Sequence, residues 1–205
     1  MTISAFHGHA GRTATRQRST KETSIDIAID LDGTGVTDVS TGIPFYDHML
    51  DQLGRHGGFD ITVKAVGDLQ IDTHHTVEDV AIALGEAFRE ALGDKAGIRR
   101  FASGAFPLDE ALVEVALDLS GRPFVAYDVP LGDVLPLGDP PFNPEMAEHF
   151  WQSFAVQAGI TLHVTLRAGR NTHHVVEATF KGVSRCLRDA VRVEGAAVPS
   201  TKGTL

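Results

Sequence analysis

The sequence predicts an α+β fold built from two tandem copies of one unit. Three observations predict it: two alternating strands share a template, two helical segments each carry a histidine after a proline, and the pattern His-His-x-x-Glu is written twice.

In the first copy, Ile25, Ile27, Ile29 and Leu31 alternate with polar or small residues, as in a half-buried strand that shows one apolar face. Asp32-Gly33 then predicts a hairpin turn. In the second copy, Val113, Val115, Leu117 and Leu119 alternate likewise and stop at Ser120-Gly121, and a glutamate precedes each run in register, Glu22 and Glu110. Pro44 suits the first turn of a helix, where no amide donor is needed, and Phe45, Met49 and Leu53 follow at helical spacing around His48. The second copy answers with Pro144 and then His149 among Phe150, Trp151 and Phe154. Phe59, Ile61, Val63 and Ala65 predict a further strand, matched by Ile160, Leu162, Val164 and Leu166. Amphipathic helices follow through Val77, Val80, Leu84 and Phe88, with Gly93 to end the first, and through Val175, Val176, Phe180, Val183 and Leu187.

The order strand, strand, helix, strand, helix in each half argues for two α+β units packed together rather than a doubly wound parallel sheet. The boundaries are a flexible basic arm at 1–19, a first repeat at 20–98, a second repeat at 99–194 and a tail at 195–205, with the halves joining near 94–105. The Pro/Gly-rich stretch at 131–145 predicts a long surface loop.

With 205 residues, 42% of them hydrophobic, the chain can bury a sizeable core. A net charge of −9 argues against nucleic acid and acidic membrane as partners, so an anionic substrate needs a locally basic pocket. The lone cysteine, Cys186, sits in an apolar helical pattern; no intrachain disulfide is possible, and a reducing, cytoplasmic setting fits. No stretch approaches the length needed to cross a bilayer, and the first residues lack the apolar core of a signal peptide.

The segments IDTHHTVEDV and RNTHHVVEAT carry the chemistry. His74 and Glu78 lie four apart and His75 and Glu78 three apart, so either pair can face one metal from one side of a helix. Adjacent imidazoles point about 100° apart, which suits two different ions better than one. His173, His174 and Glu177 repeat the arrangement. Asp72 and Asn171 can cap the two helices, and the positive helix end keeps ring nitrogens unprotonated and carboxylates ionised. With His48 and His149, six histidines and two glutamates suffice for two sites of about four protein ligands each. Imidazole and carboxylate without thiolate suit manganese, iron or zinc alike. One such motif is as easily a solvated helix start; two in register, each with a third histidine from the preceding helix, are not needed for surface decoration. His7, His9, His56 and His163 lack this setting and are expected to be structural or solvated.

The chain resembles the imidazoleglycerol-phosphate dehydratases from about Thr20 onward, through KET, FYDHMLDQLGRHGGFD, DTHHTVEDVAIALGEA, LDLSGRP, EHFWQSF, GRNTHHVVEATFK and PSTKG. The resemblance implies a duplicated fold like the second domain of ribosomal protein S5, with two mixed sheets and helices packed between the halves. It implies two Mn²⁺ per active site, held by His48, His74, His75, Glu78, His149, His173, His174 and Glu177, and a homo-oligomer of twenty-four chains with sites between subunits. The implied reaction dehydrates imidazole glycerol phosphate to imidazole acetol phosphate in histidine biosynthesis, through a metal-stabilised imidazolate and a diazafulvene-like intermediate. Glu22 matches the family's catalytic glutamate, acting with His74, Glu78, His173 and Glu177; its counterpart Glu110 is expected to be structural. By the same resemblance Arg100, Arg122, Lys181, Ser200 and Lys202 hold the phosphate, with Arg99 a competitor for the role of Arg100. The tail, polar enough to be disordered alone, is expected to order over substrate. The strongest rival is IAIDLDGTG, which resembles the nucleophile motif of haloacid-dehalogenase phosphatases at Asp30 and Asp32, though its twin reads LDLSG.

Overall fold

Two four-stranded mixed sheets enclose four helices in a computed structural model that describes residues 11–132 and 134–205. The first half runs β1 (Thr13–Ser19), β2 (Thr23–Asp30), β3 (Thr37–Ser40), α1 (Pro44–Gly57), β4 (Asp60–Gly67) and α2 (His74–Leu92). The second runs β5 (Phe101–Leu108), β6 (Ala111–Asp118), β7 (Phe124–Asp128), α3 (Met146–Ala158), β8 (Thr161–Ala168) and α4 (Thr172–Ala190). Strand order is β1-β2-β4-β3 in one sheet and β5-β6-β8-β7 in the other, with only the β3–β4 and β7–β8 pairs parallel. The duplication is therefore complete, down to the left-handed glycines Gly58 and Gly159 that end α1 and α3.

The alternating strands do what their period requires. Ile25, Ile27 and Ile29 of β2 and Val113, Val115 and Leu117 of β6 are buried on the inner faces. Against them lie α2 and α4, and each of these helices packs on the other half's first helix, α2 on α3 and α4 on α1. The buried side chains of both halves form one continuous core. Its centre is aromatic, with Phe150, Trp151 and Phe180 within 5.1 Å of one another by ring centroid, and Phe88 meeting Phe154 at 5.6 Å across the halves. Each such ring contributes about 1.5–3 kcal/mol relative to exposure. Cys186 is buried in this core, and burial pushes its thiol up to about 12.

Four expectations need correction. Residues 13–19 are no flexible arm but the edge strand β1, bonded along its length to β2; its polar alternation buries only Ala14, which hid it. Residues 1–10, with His7 and His9, lie outside the described residues. Each half has three strands before its first helix, because β5 fills what looked like a linker and β3 and β7 are short edge strands. Asp32-Gly33 makes a turn but no hairpin, since β2 is followed by β3 lying parallel to β4; the hairpins are β1–β2 and β5–β6. The 131–145 loop is not wholly superficial: Phe142 is fully buried, 5.3 Å from Phe45 and 5.9 Å from Tyr46 by ring centroid. No helix among the described residues is long and apolar enough to cross a membrane.

Close approach of α2 to α3 depends on Gly85, where an added Cβ would stand 2.6 Å from the Phe154 carbonyl oxygen and 2.9 Å from Gln157 Cβ. Gly85→Val is expected to destabilise by about 1–3 kcal/mol through overpacking. Urea unfolding reads this directly, and an unchanged midpoint would show that the helices can slide apart at no cost.

Candidate active site

The first turns of α2 and α4 bring six of the eight expected ligands into two groups, each built from both halves. His74 and Glu78 of α2 meet His149 of α3: His149 Nε2 stands 3.4 Å from Glu78 Oε1 and His74 Nε2 4.0 Å from Glu78 Oε2. His173 and Glu177 of α4 meet His48 of α1, with His173 Nε2 at 2.9 Å and His48 Nε2 at 3.4 Å from one oxygen, Glu177 Oε2. In each group the three ligand atoms lie within 4.8 Å of one another. Helix starts set these positions. The Asn171 side chain accepts the amides of His173 and His174, and Asp72 Oδ1 accepts the amide of His74 at 2.8 Å.

These donors fit a divalent ion. His149 Nε2 is buried and makes no hydrogen bond among the described residues, although it faces a carboxylate and a second imidazole. Such a nitrogen is costly unless something else takes its lone pair. Burial pushes the Glu177 carboxyl up, but Lys181 at 2.7 Å and His48 outweigh it and hold the group below its ordinary value.

His75 and His174 stand outside both groups. His75 Nδ1 donates to Asp68, 3.0 Å from Oδ2, and His174 Nδ1 donates to Glu110 Oε2 at 2.8 Å. These carboxylates raise both imidazoles above their ordinary range. Glu110 in turn falls to about 2, first through His174 and then through the amides of Asn171 and Arg170.

Glu22, in the β1–β2 turn, is half exposed, with Oε2 3.9 Å from His75 Nδ1. Its backbone is held from below. The Thr20 hydroxyl accepts the amides of Glu22 and Thr23, while the Thr23 hydroxyl and the Arg18 guanidinium donate to the buried carboxylate of Asp79 on α2, at 2.5 and 2.8 Å.

Of the expected phosphate ligands, Arg100, Arg122, Ser200 and Lys202 line one cavity of about 520 Å³ at the end of the second sheet. Arg100 sits at a positive φ of 75°, grips Asp118 with two nitrogens at 2.7 and 3.0 Å, and donates to the Pro199 carbonyl, which fastens the tail. Arg122 is mostly exposed. Lys181 does not line this cavity; it is paired with Glu177. Arg99 faces Glu194 at 4.0 Å.

Sequence reasoning missed Asp68, Asp79 and Lys95. Lys95 is buried beside the cavity, its amine pushed down by burial against the pull of Asp118. A comparison of the copies held the signal for the first two. Ala178 stands where the first copy has Asp79, and no carboxylate lies between Thr165 and His173 to match Asp68. The phosphatase reading fails on topology and engagement: Asp30 accepts the Asp32 amide, Asp32 is paired with Arg12 at 2.6 Å, and the sheet is mixed.

The family model for imidazoleglycerol-phosphate dehydratase matches residues 41–187. The chain is 59% identical over 195 residues to the imidazoleglycerol-phosphate dehydratase of Acidothermus cellulolyticus, covering 95% of this chain and 93% of that one. It is 54% identical over 192 residues to that of Streptomyces coelicolor, covering 92% and 96%. Among solved structures it is similar to imidazoleglycerol-phosphate dehydratase from Staphylococcus aureus, with a TM-score of 0.78 and 33% identity over 90% of this chain and 99% of that one. The Pyrococcus furiosus enzyme in complex with (S)-C348 gives a TM-score of 0.78 and 35% identity over 93% and 100%.

The His174–Glu110 bond has a definite pH signature in the metal-free protein. The raised imidazole contributes at low pH and loses its contribution as pH rises through its shifted value; the depressed carboxyl contributes above its ordinary 4.5 and loses it as pH falls toward about 2. NMR titration of His174 is expected to give a midpoint above 6.5 that Glu110→Ala brings back down. A midpoint indifferent to that substitution would remove the bond.

Proposed function

Because the chain belongs to the imidazoleglycerol-phosphate dehydratase family, the hydro-lyases of histidine biosynthesis, we propose that its two three-donor groups each hold a manganese ion against the imidazole ring of the substrate. The observation that carries this is the convergence of His48, His173 and Glu177 in one group and of His74, Glu78 and His149 in the other, the second with a buried ring nitrogen, His149 Nε2, that makes no hydrogen bond among the described residues. Three protein donors leave open positions on an ion, as catalysis needs. His75 and His174, each with Nδ1 tied to a carboxylate and Nε2 left as the coordinating nitrogen, are suited to complete the groups of neighbouring copies. This supports sites shared between subunits, in which a monomer would lack one imidazole per ion; twenty-four chains is the assembly that the family resemblance implies.

The chemical obstacle is a carbon-bound proton with no carbonyl beside it and hydroxide as leaving group. When bound, the two ions supply Lewis acidity to the ring nitrogens, so that the ring can expel the hydroxyl on the carbon attached to it. This chain's own part is to orient and to move protons. Glu22, held by its backbone with a free carboxylate, takes the proton from the neighbouring carbon and returns it to the departing hydroxide, which leaves as water, and the resulting enol relaxes to the ketone. Arg122, Lys202 and Ser200, with Arg100 fixed by Asp118, give an acidic protein its local anion site, and binding there places the ring. Lys181 serves at Glu177, holding that carboxylate ionised for metal. A cytoplasmic setting accords with the single, buried cysteine.

Metal-stripped protein is expected to lose turnover of imidazole glycerol phosphate and to recover it on addition of Mn²⁺; failure of add-back would leave the two-ion reading without support. Glu22→Gln is expected to lower kcat by about 10²–10⁴-fold. Arg122→Ala should act mainly on KM, and a kcat loss with unchanged KM would place Arg122 elsewhere in the reaction.

A further inference from the structure

The two halves match so closely that their departures carry information, and those around the outlying histidines form a set. Each half has a glutamate in its first hairpin turn, Glu22 or Glu110, and beside it an imidazole, His75 or His174, that belongs to neither metal group. In the second half the glutamate is spent on the histidine. Glu110 Oε2 accepts His174 Nδ1–H at 2.8 Å, while Oε1 accepts the amides of Asn171 and Arg170 at 2.8 and 3.2 Å. That carboxylate is fully engaged, and its turn is pinned to the start of α4.

In the first half the same histidine is held by another residue. Asp68, directly after β4 and largely buried, accepts from His75 Nδ1 at 3.0 and 3.2 Å, and Glu22 stands back at 3.9 Å. The turn is secured from a different direction, through Thr20, Thr23 and Arg18 to Asp79. Both devices are peculiar to this half, since the second has Ala178 in place of Asp79 and no acidic residue between Thr165 and His173.

From this we infer that Asp68 is a positioning residue that takes over from Glu22 the task Glu110 performs in the other half, fixing the tautomer of His75 so that Nε2 coordinates, and thereby leaving Glu22 free to move a proton. The inference rests on the two-ion reading above and explains why only one of two duplicate glutamates is available for catalysis. An imidazole whose Nδ1–H is held by a carboxylate is both oriented and made a better donor at Nε2, and loss of such a partner costs about 10–100-fold in metal affinity. Carboxylates at both positions are needed for the ligands, whereas a third, unbound carboxylate is needed for the chemistry. Asp79 completes the division by anchoring the turn without using the Glu22 side chain.

The test is Mn²⁺ binding to the assembled protein, followed by the signal of free Mn²⁺ in electron paramagnetic resonance, beside steady-state dehydration. Asp68→Ala and Glu110→Ala are each expected to weaken one Mn²⁺ per chain by about 10–100-fold, and Asp68→Asn, which keeps an acceptor oxygen, to restore most of it. Glu22→Gln is expected to keep both affinities while losing kcat. Asp68→Ala that binds both ions as tightly as wild type overturns the inference, and so does Glu22→Gln that loosens manganese as Asp68→Ala does. Wild-type protein that takes up no Mn²⁺ overturns the two-ion reading itself and this inference with it, a result recognisable because it precedes any substitution.

Discussion

The seating of α2 on α3 and of α4 on α1 governs the rest of the molecule. Neither sheet alone can bury its inner face and its helices; the aromatic layer of Phe150, Trp151, Phe154 and Phe180 belongs to the second half, and Phe88 and Tyr46 of the first half cover it only when the halves meet. The same contact places His149 opposite Glu78 and His48 opposite Glu177. Folding energy and donor geometry therefore come from one interface. Shifting it by an ångström would disturb both, because a close-packed interior transmits displacement rather than absorbing it.

Much of this was legible in the residues. The period-two runs beginning at Ile25 and Val113, and the helix that starts at Pro44, identify their elements because an inner face needs apolar side chains at fixed intervals, whereas Pro144 stands in the turn before α3, which starts at Met146. Edge strands escaped for the converse reason. One face of β1 meets solvent, its other face carries little apolar bulk, and its role is hydrogen bonding along β2, which leaves no trace in hydrophobic spacing. The residues of the two clusters could be picked out from the doubled His-His-x-x-Glu pattern and the two helix histidines, but their grouping could not. Local spacing pairs His74 with Glu78; only tertiary contact brings His149 rather than His48 to them. Asp68 escaped because an aspartate after a strand looks like ordinary turn chemistry until its neighbour is known.

Electrostatics adds a second layer to the division between the halves. The chain is acidic overall, yet Arg100, Arg122 and Lys202 gather where the tail folds back, with buried Lys95 behind them. Asp118 keeps Arg100 in place at the cost of part of its charge, while Arg122 remains exposed. On the proposed reading, the two ends of a bipolar substrate are kept apart, with imidazole and carboxylate donors for the ions that face its ring and guanidinium and ammonium groups for its phosphate.

The interleaving of donors across the halves bears on how such a protein could arise. Half a chain, ending before β5, would own His48, His74 and Glu78 but neither His149 nor the His173–Glu177 pair. Two identical half-length chains related by a twofold axis would supply each other's missing imidazole and recreate both groups at once. Gene fusion of such a pair keeps the chemistry intact from its first generation, and afterwards frees the two glutamates in the hairpin turns to follow separate histories.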